Sequence, residues 1–483
     1  MVAKKRNLKS AFEAHSKEAE SQAGLPGQFS RPIKLTILGA GSGFTPILIN
    51  DVLQVPTADR GEIALVDIDR SRLAAMKKVI ERLIAKHNKQ GWTVCASPNG
   101  RTLLANSTYV INCIEVSGLK CIDYENDIPL KYGVDQCIGD TIGPGGLFKF
   151  LRTIPVWLQI LRDAEELCPN ALILNYTNPM NMMCLAAGRV SSMPVVGLCH
   201  SVQGSSHQLA SRVGVPYEEM DWECAGINHL AWFTKLEHKG RDLYPRLMKQ
   251  AQAEVHGNRE ESSNRNPKDV GLDLVRKDMM LHFGAYITES SGHLSEYLPY
   301  YRARRSTIRS YCRKKYDGES SFYRNNWPKW RAEADRMRMQ MVKGTKPVGG
   351  PRSWEYASWI IEAREKDSPV RIHGNVMNAH SGGGPLIRNL SHDGCVEVAC
   401  MIDRNGVNPT CYGSLPPQMA AICQSNMNVF ELGTTAGIEK NKEAAIHALM
   451  LDPLTAACCT PDQIKAMALE LFEAEKQFLK GYR

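Results

Sequence analysis

The stretch IKLTILGAGSGFTPILINDVL, residues 33–53, constrains the fold more than any other part of the chain. Leu35, Ile37 and Leu38 read as a buried strand, the glycines as a tight turn, and the apolar-periodic segment from about Thr45 as a helix. A strand that turns on glycine directly into a helix opens a parallel α/β sheet, and the helix start gathers backbone N–H groups and positive dipole charge. That combination is a pyrophosphate cradle. Gly39 permits the turn, Gly41 lets the backbone approach an anion, and Ser42 lies beside them. Asp67 ends the next apolar strand, IALVD, where a carboxylate accepts hydrogen bonds from a ribose diol and repels a 2′-phosphate. The cradle is therefore read as a site for NAD rather than NADP. One position departs from GxGxxG: Phe44 occupies the third glycine site, with Gly43 one step early.

The alternation continues. Residues 70–88 pattern as an amphipathic helix with Leu73, Met76, Val79, Ile80 and Leu83 on one face, and 109–116, 171–176 and 194–199 read as short apolar strands. A long helical stretch runs from about Gly145 to Glu166. These elements predict an α/β fold, a Rossmann-like, doubly wound parallel sheet. Past residue 205 the alternation weakens: NHLAWFTKLEHKG reads as an antiparallel strand, charged helices fill 244–342, and the last seventy residues are again helical. The expected organisation is a flexible extension over 1–32, an NAD-binding domain over 33–204, and an α+β substrate, metal and oligomerisation domain over 205–483.

Composition narrows the function. No window holds the run of about 18 apolar residues that crosses a bilayer. The basic start, MVAKKRNLKSAFEAHSKEAESQ, lacks an apolar core and carries three glutamates, unlike a signal or transit peptide. A net charge of +8 over 483 residues is modest, and KKR, RARR and RKK read as solvated surface rather than a nucleic-acid face. Fifteen cysteines without a repeated spacing read as free thiols in a reducing cytoplasm.

In open α/β sheets ligands bind beyond the carboxyl ends of the strands. Four polar motifs fall there: NYTNPMN with Asn175, Asn178 and Asn181; CHSVQG with Cys199 and His200; GINHLAWF with Asn228 and His229; and GDTIGPGG with Asp140. Singly, Asn-Pro is a turn former and a lone His on an apolar strand is commonly a core residue. Converging at one rim, they make a polar site. Thiolate and imidazole are both metal ligands, and two protein donors leave positions open for substrate. Cys199 with His229 is the preferred pair, because adjacent residues of an extended chain face opposite ways and Cys199 and His200 cannot both reach one ion. His200 is then free to act as an acid.

ILGAGS, ALVDID, GDTIGPGGLFKFLRTIP, LNYTNPMN, GLCHSVQG, AGINHLAW, YITESSGHLSEYLP and DPLTAA, in that order, resemble the NAD- and manganese-dependent glycoside hydrolases of family 4. Within that family CHSV is similar to the melibiase (α-galactosidase) type. The resemblance spans residues 33–483 and implies an LDH-like dinucleotide fold, a homodimer or homotetramer, and a carbohydrate substrate without nucleic-acid or membrane partners. It implies cleavage by transient oxidation at C3, metal-assisted deprotonation at C2, elimination of the C1 substituent and addition of water, a route outside the two-carboxylate schemes. It carries Cys199 and His229 over as Mn2+ ligands, with other divalent metals as substitutes. Gly39, Gly41, Ser42, Asp67 and Asn178 become cofactor contacts, and Asn178, Asp140, Arg152 and His293 substrate contacts. His200 is the expected acid. Within YITESSGHLSEY, Tyr286, Glu289, His293 and Tyr297 compete for the C2 base; Glu289 is favoured, with Tyr297 a second catalytic candidate. Lys149 and Trp354 stand where similar sequences often have Arg. The same mechanism on an α-glucoside or α-glucuronide, a true NAD-dependent dehydrogenase, and an idle nucleotide-binding regulator are the competing readings.

Overall fold

The computed structural model describes residues 24–260, 272–379 and 383–483. The first six strands, β1 (Ile33–Leu38), β2 (Arg60–Val66), β3 (Gly91–Ser97), β4 (Tyr109–Asn112), β5 (Leu172–Asn175) and β6 (Val195–Gly197), are parallel and lie in the order β6-β5-β4-β1-β2-β3. This is the doubly wound nucleotide-binding order, with its switch point between β1 and β4. Strands covered on both faces need side chains apolar on both, and β4 and β5 are buried at every position. The helix Arg70–Lys86 starts where Asp69 accepts the Arg72 N–H, and it buries the predicted stripe of Leu73, Met76, Val79, Ile80 and Leu83. The long helix Gly143–Leu167 is buried through all of its first twelve residues, so its N-terminus points into the protein rather than to water.

Beyond β6 the sheet does not end. β7 (Met220–Ile227), β8 (Leu230–His238), β9 (Arg241–Asp242), β10 (Tyr286–Ile287), β11 (Val370–Met377), β12 (Cys395–Asp403) and β13 (Gly406–Pro409) form an antiparallel block. β11 pairs with β6 through Asn375 and Gly197, giving one 13-stranded sheet with the path β10-β8-β7-β12-β11-β6 and onward through the parallel half. The sheet is thus continuous across residue 204, where a domain boundary was expected.

The predicted strands at 109–116, 171–176 and 194–199 stop earlier, at Asn112, Asn175 and Gly197. Their apolar runs continue past the last ladder bond into the loops that build the rim. Of the expected N-terminal extension, residues 1–23 lie outside the described residues. Residues 24–32 lie along the helix Tyr356–Lys366: the Leu25 N–H donates to Glu362 at 2.8 Å and Arg31 pairs with Glu365 at 2.9 Å. No helix among the described residues is long and apolar enough to cross a membrane.

Candidate functional site

The glycine turn is forced by what surrounds it. Gly39 has φ +78°, and a Cβ there would stand 2.3 Å from the Cys113 carbonyl oxygen. The Gly39 and Ala40 N–H groups both donate to the Val66 carbonyl at 2.9 Å, so the turn is tied to the end of β2. At Gly41 a Cβ would lie 2.7 Å from Oδ2 of Asp67, which accepts the Gly41 N–H at 2.7 Å. Backbone and carboxylate are thus in direct contact. Ser42 donates its N–H back to Gly39 O and closes the turn. Phe44 tolerates the third glycine position because it is the N-cap of the helix Thr45–Leu53 and turns outward, 39% exposed. The helix Phe322–Lys343 lies across the turn, where Arg338 donates to the Gly41 carbonyl at 2.5 Å and Arg72 pairs with Asp335 at 2.6 Å.

The second centre lies at the carboxyl end of β6 and the β7–β8 turn. Cys199, His229 and Glu289 each present one donor atom, all within 4.8 Å of one another. Glu289 Oε2 is 3.7 Å from the Cys199 Sγ and 3.5 Å from His229 Nε2. Burial pushes the thiol well up and draws the His229 imidazole down to about 4, so the ring is neutral with a lone pair to give. Its Nδ1 is buried without a hydrogen-bond partner. Burial also pushes Glu289 up, but His293, His229, His200 and Arg276 outweigh it and hold the carboxyl at about 2. Soft sulfur, neutral imidazole and a carboxylate at one point make a set of donors suited to a divalent transition metal. Glu289 itself has φ +69°, a left-handed conformation that costs a non-glycine residue of order 1 kcal/mol and is typical of functional positions.

Around this point the expected substrate contacts converge. His293 Nδ1 lies 3.5 Å from Glu289 Oε1 and 3.1 Å from Ser290 Oγ, and its Nε2 lies 4.0 Å from Asp140. Asn178 donates to Asp140 Oδ2 at 3.2 Å. His200 caps the helix Ser201–Val213, its side chain 62% exposed and its Nδ1 3.7 Å from Glu355. That openness leaves the imidazole accessible to a departing group.

Three expected residues face elsewhere. Tyr297 is fully buried behind His229, its hydroxyl donating to the Asn228 carbonyl at 3.5 Å, and burial raises the phenol far above its ordinary range. Arg152 lines the cleft, but its guanidinium is committed to Glu125, to Glu475 at 3.4 Å and to the Val116 carbonyl at 3.0 Å. Tyr286 points to Asp273. Of the asparagines, Asn175 and Asn181 turn inward, receiving from Asn112 at 2.8 Å and donating to Cys395 O at 3.1 Å.

Two residues that the motifs did not single out complete the site. Glu115, just past β4, pairs with Lys149 at 3.1 Å, and Lys149 reaches Asp140 at 3.5 Å. A carboxylate just past a buried strand was the available signal. Glu296 accepts the N–H groups of Cys137, Ile138 and Gly139 at 2.5, 2.6 and 3.1 Å, and so fixes the loop that carries Asp140. Glu296→Gln keeps a carbonyl oxygen for the Cys137 and Ile138 N–H groups but sets an amide N–H against that of Gly139. It is expected to lower stability by about 2 kcal/mol and to raise KM as Asp140 loses its fixed position. Denaturant melts and steady-state kinetics check both; an unchanged midpoint would show that the loop holds itself.

Comparison with known proteins places this geometry among relatives. A family model described as family 4 glycosyl hydrolase matches residues 34–215, and one for the C-terminal domain of that family matches residues 224–455. An α-galactosidase from Bacillus subtilis (strain 168) is 36% identical over 459 residues, covering 93% of this chain and 100% of the relative. An α-galactosidase from Rhizobium meliloti (strain 1021) is 35% identical over 464 residues, covering 93% and 89%. The fold is shared with a 6-phospho-α-glucosidase from gut microorganisms solved in complex with NAD and Mn2+, at a TM-score of 0.75 and 19% identity over 93% of this chain and 99% of that one.

Proposed function

The chain belongs to the family 4 glycosyl hydrolases, and from that premise we propose that it is an α-galactosidase using NAD and a divalent metal, manganese in the first instance. The observation that carries the reading is the convergence of Cys199, His229 and Glu289 on one point, at the same strand-end rim as the Gly39–Ser42 turn. When bound, NAD would supply a hydride acceptor and the metal a Lewis acid for a sugar carbonyl.

The chain's own residues do the rest. Cys199 and His229 would hold the ion, and Gly39, Gly41, Ser42 and Asp67 the dinucleotide. The Glu289 carboxylate takes the C2 proton, acidified by the neighbouring carbonyl. His200 gives a proton to the departing oxygen. Asn178, His293 and Asp140 hydrogen-bond the sugar hydroxyls and set its orientation. Tyr297 braces the His229 segment from behind, and Arg152 holds the carboxylates of the cleft wall. With water added across the C1–C2 double bond and the C3 oxidation reversed, the net change would be hydrolysis and no reduced cofactor would accumulate. A thiol ligand must stay reduced, which suits the cytoplasm. The proposal includes a homodimer or homotetramer, a state that light scattering reads directly, and the division at residue 204 into nucleotide-binding and substrate domains.

The test is incubation with 4-nitrophenyl α-galactoside, NAD, Mn2+ and a reductant, following both nitrophenol and NADH. Nitrophenol release without stoichiometric NADH is the expected result. Stoichiometric NADH would make the protein a dehydrogenase, and faster release from the α-glucoside or α-galacturonide would move the sugar specificity.

A further inference from the structure

We propose that Arg331, which the second half of the chain contributes, is the cation that receives the pyrophosphate of the dinucleotide. The inference rests on the reading of the Gly39–Asp67 turn as a dinucleotide site, and adds a charged contact from outside the nucleotide-binding segment. Arg331 falls within residues 224–455, the part matched by the C-terminal family model. A pyrophosphate brings two negative charges, and the turn GAGSGF holds no lysine or arginine. Its backbone N–H groups and the start of the helix Thr45–Leu53 offer partial charge alone.

The helix Phe322–Lys343 lays one face on that turn. Residues 331, 334, 335 and 338 are three and four apart and share the face. Three of them touch the nucleotide segment directly. A Cβ at Gly43 would lie 3.8 Å from the Ala334 Cβ, Asp335 pairs with Arg72 at 2.6 Å, and Arg338 donates to the Gly41 carbonyl at 2.5 Å. Arg331 is one turn nearer the helix start. Its guanidinium nitrogens lie 3.9 Å from where a Cβ of Gly118 would stand, in the loop that follows β4. The charges of Glu115, past β4, and of Asp67, at the end of β2, both act on it. The group therefore overhangs the crevice between β1 and β4, where the strand order switches and ligands of such sheets bind.

Arg331 differs from its neighbours in that its charge is unmatched. Arg72 is held by both oxygens of Asp335, at 3.0 and 2.6 Å, and Arg338 donates to the same carboxylate at 2.5 Å. Glu115 is taken by Lys149 at 3.1 Å, and Asp67 accepts the Gly41 and Asp69 N–H groups at 2.7 and 2.8 Å. Among the described residues Arg331 forms no ion pair, although it is half-buried. Burial and the Arg72 charge lower its pKa, as befits a cation short of counter-charge. A guanidinium offers the planar, two-pronged donor set that suits phosphate oxygens. The 2′ position of the ribose belongs instead to Asp67, which repels a phosphate there.

The test is calorimetric titration of the full-length protein with NAD, ADP and NADP, which needs no turnover. In Arg331→Gln the Kd for NAD and for ADP is expected to rise about tenfold or more. Arg331→Lys, which keeps the charge without the planar donor pair, is expected to stay within about threefold of the wild type. Raising NaCl from about 0.05 to about 0.5 M is expected to weaken NAD binding more in the wild type than in Arg331→Gln. Unchanged NAD and ADP affinity in Arg331→Gln overturns the assignment. So does a lysine variant as weak as the glutamine one with the salt dependence unaltered, which would make Arg331 a prop for the turn. A wild type that prefers NADP, with that preference lost in Arg331→Gln, moves the contact to the 2′-phosphate and overturns it as well. Binding of NAD by the wild type reports the dinucleotide reading by itself, so its absence sinks that reading and the role of Arg331 with it.

Discussion

Cys199→Ser is expected to yield a folded protein that binds NAD normally and turns over galactosides at least about a thousandfold more slowly. The substitution is nearly isosteric at a buried position. What changes is the donor. Burial holds the Cys199 thiol well above its ordinary range, so without an ion it keeps its proton. A bound divalent cation favours the thiolate and displaces that proton. A serine hydroxyl is far less acidic and offers a weak neutral oxygen instead. Manganese affinity, read by its electron paramagnetic resonance signal, is expected to fall at least about a hundredfold. NAD affinity stays within a factor of about two, because the Gly39–Asp67 turn is a separate element tied to the ends of β1 and β2. Retained turnover, or unaltered manganese binding, would remove Cys199 from the ligand set.

The two sites differed in how much of them could be read before the structure. The nucleotide turn is local: strand, glycines, helix and the acid at the end of β2 follow one another in the chain, and each leaves a mark in periodicity or composition. The metal cluster is non-local, joining Cys199, His229 and Glu289 from three segments, and spacing alone cannot bring those together. Motif order paired Cys199 with His229 by resemblance and gave Glu289 only as the base, and the distances bring all three to one point. Tyr297 and Glu296 show the limit of that reading. Both lie in the YITESSGHLSEY segment, yet Tyr297 lies behind His229 while Glu296, not singled out, holds the Asp140 loop. Side-chain direction over a one-turn helix such as Ser291–Glu296 is set by tertiary packing, which a linear motif does not encode. The edge strand β3, largely half-exposed or exposed, and the hairpin β11–β12 also went unread. The junction of β11 with β6, a single paired position, leaves no sequence signal at all.

Glu289→Gln separates two roles that geometry alone brings to the same carboxylate. One oxygen faces Cys199 and His229, and the other faces His293. As the base, it is replaced by an amide that accepts hydrogen bonds but takes no proton, and kcat is expected to fall about a thousandfold. Exchange of the sugar C2 proton with solvent deuterium is expected to vanish with it. Manganese affinity is expected to hold within about threefold, since sulfur and imidazole remain and a carbonyl oxygen is still an acceptable donor. Its neighbours hold the carboxyl below its ordinary value, so it is ionised and able to accept a proton at working pH. Removal of the C2 proton should show a primary isotope effect in the wild type. If manganese affinity instead falls as steeply as in Cys199→Ser while C2 exchange survives at low rate, Glu289 is the third ligand, and the proton goes to His293, the next group within reach of the same oxygen.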